Sequence, residues 1–185
     1  MPKQSGNTFV ALLRGINVGG KNMLSMSSLK TSFEKMRLQN VTTYINSGNV
    51  IFKCAEADPR KLEHKIEGML AKEYDLNCKV VVRSLSEMEQ LVKNLPRTWN
   101  ADQDWRYNVI FLRHTIDSPD VIENLKHKKD IEQVVYRPGT LLWSAPLTKL
   151  NQTMMQKLSS QKIFQDMTVR NANTTNKIYE LMKRA

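Results

Sequence analysis

Cysteine, histidine and long hydrophobic runs are all scarce in this chain of 185 residues. Its two cysteines, Cys54 and Cys78, have no metal-ligand spacing and are too few for a disulfide framework, as is typical of a reducing compartment. No window approaches about 18 consecutive apolar residues, and the first residues lack the apolar core of a signal peptide. We therefore expect a cytoplasmic protein that has no membrane partner.

The scarcity of histidine limits the chemistry that the sequence predicts. The three histidines, His64, His114 and His127, lie far apart in sequence, and none has a second ligand at a metal-binding spacing. No nucleophile and base form a hydrolase pattern with them. The sequence predicts no metal site, and it leaves the catalytic residues, any cofactor, enzymatic activity and the oligomeric state unknown.

Positive charge is abundant, since 28 lysine and arginine residues against 18 aspartate and glutamate residues give a formal net charge of +10. The isoelectric point near 9.7 favours a polyanionic partner such as nucleic acid. The densest basic cluster, Lys126–Lys129, follows a predicted helix, where cations also complement the negative carboxyl end of the helix dipole. We interpret this cluster as helix termination and keep anion binding as the alternative.

A glycine-rich stretch, residues 14–22, follows an apolar run at residues 8–13 that predicts a buried strand. Three of the seven glycines fall in this stretch. Because glycine tolerates left-handed backbone angles and lets other groups approach the main chain, the stretch predicts a shaped loop with exposed N–H groups. Such a loop, flanked by two cations, is suited to bind an anion. Its candidate ligand-binding residues are Arg14, Gly15, Asn17, Gly19, Gly20 and Lys21.

Two other interpretations of this glycine loop stay open. Gly15 to Lys21 has the phosphate-loop spacing G-x-x-x-x-G-K, but Asn22 replaces the serine or threonine that would bind magnesium. A predicted helix start near Ser25 also places Lys21 outside the first helical turn. In the second interpretation the glycines serve only the turn itself, and no ligand binds.

The first half of the chain predicts the order β-α-β-β-α-β, which is the arrangement of ferredoxin-like domains. The glycine loop follows the first strand, and residues 46–49 have the composition of a hairpin turn between the second and third strands. The other predicted elements are a helix at 25–38, strands at 41–45 and 50–53, a helix capped by Asp58, and a strand at 79–83.

The second half predicts the same order again, although we find no residue-level repeat between the halves. A short helix with a Ser84–Glu87 capping box and a polar linker come first. The predicted elements then are a strand at 107–113, a helix from Ser118, strands at 131–136 and 141–144 around a type II turn, a helix from about Thr148, a strand at 167–169 and a helix from about Thr174.

The predicted fold class is therefore α+β, with two ferredoxin-like (βαββαβ) subdomains in tandem and an extra carboxyl-terminal helix. We expect the first subdomain at residues 1–83 and a connector helix and linker at 84–106. The second subdomain and the final helix are expected at 107–185. Both faces of each first strand are apolar, so both faces of each sheet should be covered.

This topology places the glycine loop beside the hairpin turn. The first and third strands of a ferredoxin-like sheet are antiparallel neighbours, so the end of the first lies beside the start of the third. Residues 14–22 and 46–49 are therefore expected to form one composite site. The alternative is that the asparagines bond only to the backbones of the two loops. The turn adds the candidate ligand-binding residues Asn46, Ser47 and Asn49.

A second candidate position is Arg170 with Asn171, where a predicted strand passes into the last helix. Arginine and the N–H groups at a helix amino terminus can together bind a phosphate or a carboxylate. The alternative is that asparagines cap the helix while Arg170 pairs with a carboxylate between the halves.

Three stretches have the form of family signatures: ALLRGINVGGKN at 11–22, YINSGNVIF at 44–52 and TVRNANTTNKI at 168–178. In these motifs the chain resembles a largely bacterial family known as domain of unknown function 1697. The resemblance implies two ferredoxin-like subdomains and implies no activity. The third signature of that family usually reads R-N-W-x-T, whereas this chain has Ala172 in place of the tryptophan.

The sequence is compatible with three kinds of function. We favour a cytoplasmic protein that binds an anion, either a nucleic acid or a phosphorylated metabolite, at the glycine loop. The first alternative is an enzyme in which cations of the same loop stabilise a phosphorylated or carboxylated substrate. The second is a structural or assembly protein whose loops form an interface. An RNA-recognition motif is disfavoured because its basic-aromatic octamer is absent.

Overall fold

A computed structural model of the protein describes residues 6–17, 23–96, 99 and 102–185. Contacts within the chain divide it into two compact units. The first contains the residues up to Gln90 together with Lys177–Ala185, and the second contains Leu91–Asn176. Each unit holds one four-stranded antiparallel sheet, which confirms the predicted α+β class of two ferredoxin-like subdomains followed by a helix.

The first unit alternates strands and helices in the predicted order. Its elements are β1 (Asn7–Leu13), α1 (Met26–Lys35), β2 (Gln39–Tyr44), β3 (Asn49–Cys54), α2 (Pro59–Tyr74) and β4 (Val80–Ser84), followed by α3 (Leu85–Lys93). The strands lie in the order β2-β3-β1-β4. Leu12 pairs with Asn49, so the end of β1 lies beside the β2–β3 turn.

The helices of the first unit begin at the predicted capping residues. Ser25 accepts a hydrogen bond from the N–H three residues later at 3.4 Å, and Asp58 accepts one from the N–H two residues later at 2.9 Å. Ser84 and Glu87 exchange backbone-to-side-chain hydrogen bonds at the start of α3, which confirms the capping box. Local sequence chemistry therefore sets these three boundaries.

The core of the first unit lies between its sheet and helices α1 and α2. Phe9, Ala11 and Leu13 of β1 belong to this core together with apolar side chains of both helices. Val10 and Leu12, which alternate with them, are also fully buried. Both faces of β1 are therefore covered, as the doubly apolar strand predicted.

The second unit repeats the strand order of the first. Its strands are β5 (Trp105–Leu112), β6 (Gln133–Arg137), β7 (Thr140–Pro146) and β8 (Met167–Asn171), in the order β6-β7-β5-β8, and α4 (Ala172–Arg184) follows β8. Gly139 of the β6–β7 turn has a φ of 77°, as the predicted type II turn requires.

The prediction of two α-helices between these strands is wrong. The segment after Ser118 forms only a short 3-10 turn, and four short 3-10 segments replace the helix predicted from Thr148. Those turns are Pro119–Ile122, Leu147–Gln152, Met154–Gln156, Leu158–Ser160 and Lys162–Asp166.

Two features explain why no α-helix continues through this region. The backbone at Thr153 is extended, with φ of −78° and ψ of 163°. The next N–H, of Met154, donates to the buried Glu132 carboxylate at 2.8 Å instead of to a helical carbonyl. The interpretation of Lys126–Lys129 as helix termination is also wrong, because the preceding turn ends at Ile122.

The strand register reveals residue-level correspondences between the two units. The last residue of β1 donates its N–H to Gly48 O at 2.8 Å, and the last residue of β5 donates to Gly139 O at 2.9 Å. Both glycines are left-handed, with φ of 75° and 77°. An arginine, Arg14 or Arg113, follows each of these strands.

A second pair of arginines corresponds in the last strand of each sheet. Arg83 lies opposite Val10 in the β4–β1 pair, and Arg170 lies opposite Val109 in the β8–β5 pair. Each donates from Nη1 to the carbonyl oxygen of the residue before it, at 2.8 Å in both cases. A helix follows each arginine after one residue, so α3 and α4 correspond. The strand register therefore matches positions in two halves whose sequences show no convincing residue-level repeat.

Candidate functional site

The glycine loop and the hairpin turn meet at the end of β1, as predicted. Asn17 Nδ2 donates to the carbonyl oxygen of Asn46 at 3.0 Å, so the two loops are in direct contact. Gly15 is exposed and has a φ of 66°, which confirms a shaped backbone in the loop. We call the described residues of the two loops, 14–17 and 46–49, the rim.

Asn17 uses its side chain to bind the protein's own backbone. Besides its bond to Asn46, Nδ2 donates to Leu24 O at 2.9 Å, and Oδ1 accepts from the Leu24 N–H at 2.6 Å. Its φ of 54° lies in the left-handed region that asparagine tolerates better than most residues. Asn17 therefore fastens the glycine loop to the turn.

Asn49 is fully buried and holds the turn from within. Its Nδ2 donates to Tyr44 O at 2.9 Å and to Ser47 Oγ at 3.1 Å. Gly48 beside it packs closely, since a Cβ there would lie 2.7 Å from Ile16 Cδ1. The contacts of Asn17 and Asn49 therefore agree with the alternative interpretation, in which these asparagines form hydrogen bonds within the protein and not to a ligand.

The outward-facing groups of the rim are fewer than the sequence predicted. Gly15 and Asn46 are exposed, and Arg14 and Ser47 are half-buried. Cys78 also lies at this rim, with its Sγ donating to Arg14 O at 3.1 Å. Outside the described residues lie Gly19, Gly20 and Lys21, whose part in the site stays a prediction.

Two exposed apolar side chains border the rim. Met23 is 75% exposed and Ile45 is 48% exposed. They directly precede Leu24 and Asn46, both of which are hydrogen-bonded to the Asn17 side chain. Two exposed apolar side chains therefore lie next to the polar groups of the rim.

Arg170 and Asn171 lie in the second unit, at the junction of β8 and α4. Arg170 is only 8% exposed, and its Nη1 donates to Thr168 Oγ1 at 3.0 Å and to the preceding carbonyl oxygen at 2.8 Å. Asn171 Oδ1 accepts from the Thr174 N–H at 2.7 Å, so Asn171 caps α4. The capping interpretation is confirmed for Asn171, and anion binding at this pair stays a prediction.

The second unit also contains a cleft that the sequence did not predict. Its volume is about 900 Å³, and its walls are residues 116–128 and the 3-10 segments within residues 151–166. We call it the lysine cleft, because four lysines line it: Lys126, Lys128, Lys157 and Lys162. The basic cluster at 126–129 was the only sequence signal for it, since the other two lysines stand apart in the chain.

One carboxylate, Asp166, is present among the described lining residues of the lysine cleft. Its Oδ1 lies 3.5 Å from Arg113 Nε, and the two side chains are 21% and 7% exposed. Arg113 therefore balances the negative charge of Asp166, which leaves the lysines to set the potential of the cleft.

Within the described ranges, no group of three or more histidine, cysteine or acidic side chains is placed to hold a metal ion. No helix of the described residues is both long enough and apolar enough to cross a membrane.

The strand order, the rim and the lysine cleft define an α+β protein built from two plait-like units. The chain belongs to the family described as protein of unknown function (DUF1697), whose model matches residues 7–143. The chain is also similar to a solved structure of a conserved bacterial protein from Streptococcus pneumoniae, with 28% identity and a TM-score of 0.84. That similarity covers 95% of this chain and 98% of the other. No curated protein matches the sequence.

Proposed function

We propose that the protein binds the phosphate groups of an anionic ligand at the rim, and that it does so in the cytoplasm. A phosphorylated metabolite and a nucleic acid share this chemistry. The observation that carries the proposal is the hydrogen bond between Asn17 and Asn46, because it joins the glycine loop and the turn into one surface at the end of β1.

The backbone around Gly15 supports the proposal. A Cβ built on Gly15 would meet no atom within 4 Å, so a ligand has space to approach the main chain there. Arg14 and Lys21 at the two ends of the glycine loop supply positive charge. Charge-assisted hydrogen bonds of this kind are roughly twice as strong as neutral ones, and Asn46 and Ser47 would add neutral bonds that orient the anion.

A protein interface is the second candidate function for the rim, and the exposure of Met23 and Ile45 favours it. Exposed apolar side chains beside polar groups are typical of contact surfaces between proteins. In this case a second copy of the chain would cover the rim. Replacing Ile45 by serine would then reduce self-association in sedimentation experiments and leave anion binding unchanged.

Calorimetric titration with pyrophosphate and with a single-stranded RNA oligonucleotide tests anion binding at the rim. Lys21→Ala should weaken the binding of the true ligand class by about tenfold, because a charge-assisted contact is lost, with no change in melting temperature. Lys72→Ala is the matched control, since Lys72 is an exposed lysine on α2. A steep salt dependence with RNA alone would identify nucleic acid as the ligand.

Asn49→Ala distinguishes an effect on the stability of the turn from an effect on ligand binding in the same experiment. Because Asn49 is buried and bonded to Tyr44 and Ser47, this change should lower the melting temperature whether or not a ligand binds. The proposal fails if neither probe binds the wild-type protein, or if Lys21→Ala binds as tightly as Lys72→Ala.

A further inference from the structure

We propose that the lysine cleft of the second unit is a separate binding site for a small molecule that carries several phosphate groups. This site does not depend on the function proposed for the rim, because its residues belong to the other unit. Four observations carry the inference: the unpaired lysines, the amide lining, the anchored walls and the size of the cleft.

The ammonium groups of the cleft have no anionic partner in the described part of the protein. None of the four lysines forms a salt bridge there, although exposed lysines at other positions do, such as Lys30 with Glu34 and Lys183 with Glu180. Four lysines line one cavity, so their positive charges favour an anion bound there.

The neutral polar groups of the cleft suit the same ligand. Six asparagine and glutamine side chains line it, and each amide can both donate and accept hydrogen bonds. Ile116, Met154 and Ile163 supply apolar surface. A few apolar groups with convergent polar ones are typical of sites for small molecules.

A buried carboxylate fixes both walls of the cleft. Glu132 is 2% exposed, and its Oε1 accepts from the N–H of Lys128 at 2.9 Å and from the N–H of Met154 at 2.8 Å. Its Oε2 accepts from Trp143 Nε1. Lys128 and Met154 line the cleft on different walls. Because the same carboxylate is hydrogen-bonded to both residues, it fixes the position of one wall relative to the other. The site is therefore preorganised for a ligand.

The size and lining of the cleft select the ligand class. Its volume of about 900 Å³ falls within the range of roughly 300–1,000 Å³ that small-molecule sites occupy. None of the described lining residues is aromatic, whereas single-stranded nucleic acids are bound by stacking on aromatic side chains. A compact molecule with several phosphates therefore fits the site better than a nucleic acid strand.

Calorimetric titration of the full-length protein with inorganic tripolyphosphate tests this inference. The double variants Lys126→Ala/Lys128→Ala and Lys157→Ala/Lys162→Ala should each weaken binding by about tenfold or more, because each removes two charge-assisted contacts. The matched control is Lys65→Ala/Lys72→Ala, which removes the same charge from exposed positions on α2 and should change the affinity by less than about twofold.

Lys21→Ala distinguishes this site from the rim, because it should leave tripolyphosphate binding to the cleft intact. The inference is overturned if the wild-type protein does not bind tripolyphosphate, or if both cleft variants bind it as the control does. It is also overturned, in favour of nucleic acid, if single-stranded RNA binds more tightly than tripolyphosphate and both cleft variants lose the RNA.

Discussion

At the scale of single residues, the rim contains two left-handed glycines with different surroundings. Gly15 and Gly48 have φ of 66° and 75°. A Cβ on Gly48 would lie 2.7 Å from Ile16 Cδ1 and 2.8 Å from Leu13 Cβ, whereas a Cβ on Gly15 would meet nothing within 4 Å. Gly48 is therefore required by packing and by backbone angle, and Gly15 by backbone angle alone.

Alanine substitutions measure this difference. Gly48→Ala should lower the free energy of unfolding by about 3 kcal/mol, since the left-handed backbone strain and the overpacking add. Gly15→Ala, the matched control, should lower it by about 1 kcal/mol from backbone strain alone. Urea denaturation measures both values. Equal losses in the two variants would contradict the close packing of the turn.

A partly buried hydrogen bond of Tyr136 makes the stability of the protein depend on alkaline pH. Its hydroxyl donates to Asp117 Oδ1 at 3.0 Å. Burial, then this hydrogen bond and the charge of Asp117 raise the pKa of Tyr136 above its ordinary value of 10.0. The stabilisation is therefore complete below pH 10 and is lost as the pH rises through the higher pKa of the folded state.

Tyr136→Phe should lower the free energy of unfolding by about 1 kcal/mol at neutral pH, because one hydrogen bond to a carboxylate is removed. Above pH 10 the variant should lose stability less steeply than the wild-type protein. Parallel profiles for Tyr136→Phe and the wild-type protein would contradict the linkage.

At the scale of elements, helix α2 protects the outer edge of strand β4. Glu63 Oε1 accepts from the Val82 N–H at 3.0 Å, and Glu67 Oε1 accepts from the Val80 N–H at 3.0 Å. Glu63 and Glu67 are four residues apart and therefore lie on the same face of the helix. From that face they reach two N–H groups that are two residues apart on the edge strand. The carboxylates occupy donors that could otherwise pair with another strand.

Glu63→Ala should lower the free energy of unfolding by about 2 kcal/mol, because it leaves a buried N–H without its acceptor. Glu67→Ala should have an effect of about 1 kcal/mol, since Glu67 is more exposed. Glu34→Ala removes an exposed pair with Lys30 and is the control, with an effect below about 0.5 kcal/mol. If urea denaturation showed equal losses in the free energy of unfolding for Glu34→Ala and Glu63→Ala, the protection of the β4 edge by α2 would be contradicted.

The elements also show where sequence reasoning succeeds and where it fails. Ser25, Asp58 and the Ser84–Glu87 pair were predictable because a cap acts over two or three residues. The helix predicted from Thr148 failed because Glu132, far away in sequence, takes the N–H of Met154. The apolar spacing of that segment is helical, but a tertiary hydrogen bond replaces the helical one.

At the scale of the whole molecule, the order of the strands was predictable from the sequence, and the side chains that come together were not. The contact between the glycine loop and the turn follows from strand order alone. The use of Asn17 and Asn49 as internal hydrogen-bond donors required the structure. The structure was also needed to find the lysine cleft, because Lys126 and Lys162 line the same cavity only through the fold of the second unit.

The location of phosphate binding tests the central claim, that the rim is an anion site, most directly. Amide NMR spectra recorded during a titration with pyrophosphate report which N–H groups contact the ligand. We predict saturable shifts at Gly15, Asn46 and Ser47, and unchanged signals for Lys65 and Lys72 on α2. Saturation with no shift at the rim, or with shifts confined to the lysine cleft, would contradict the claim.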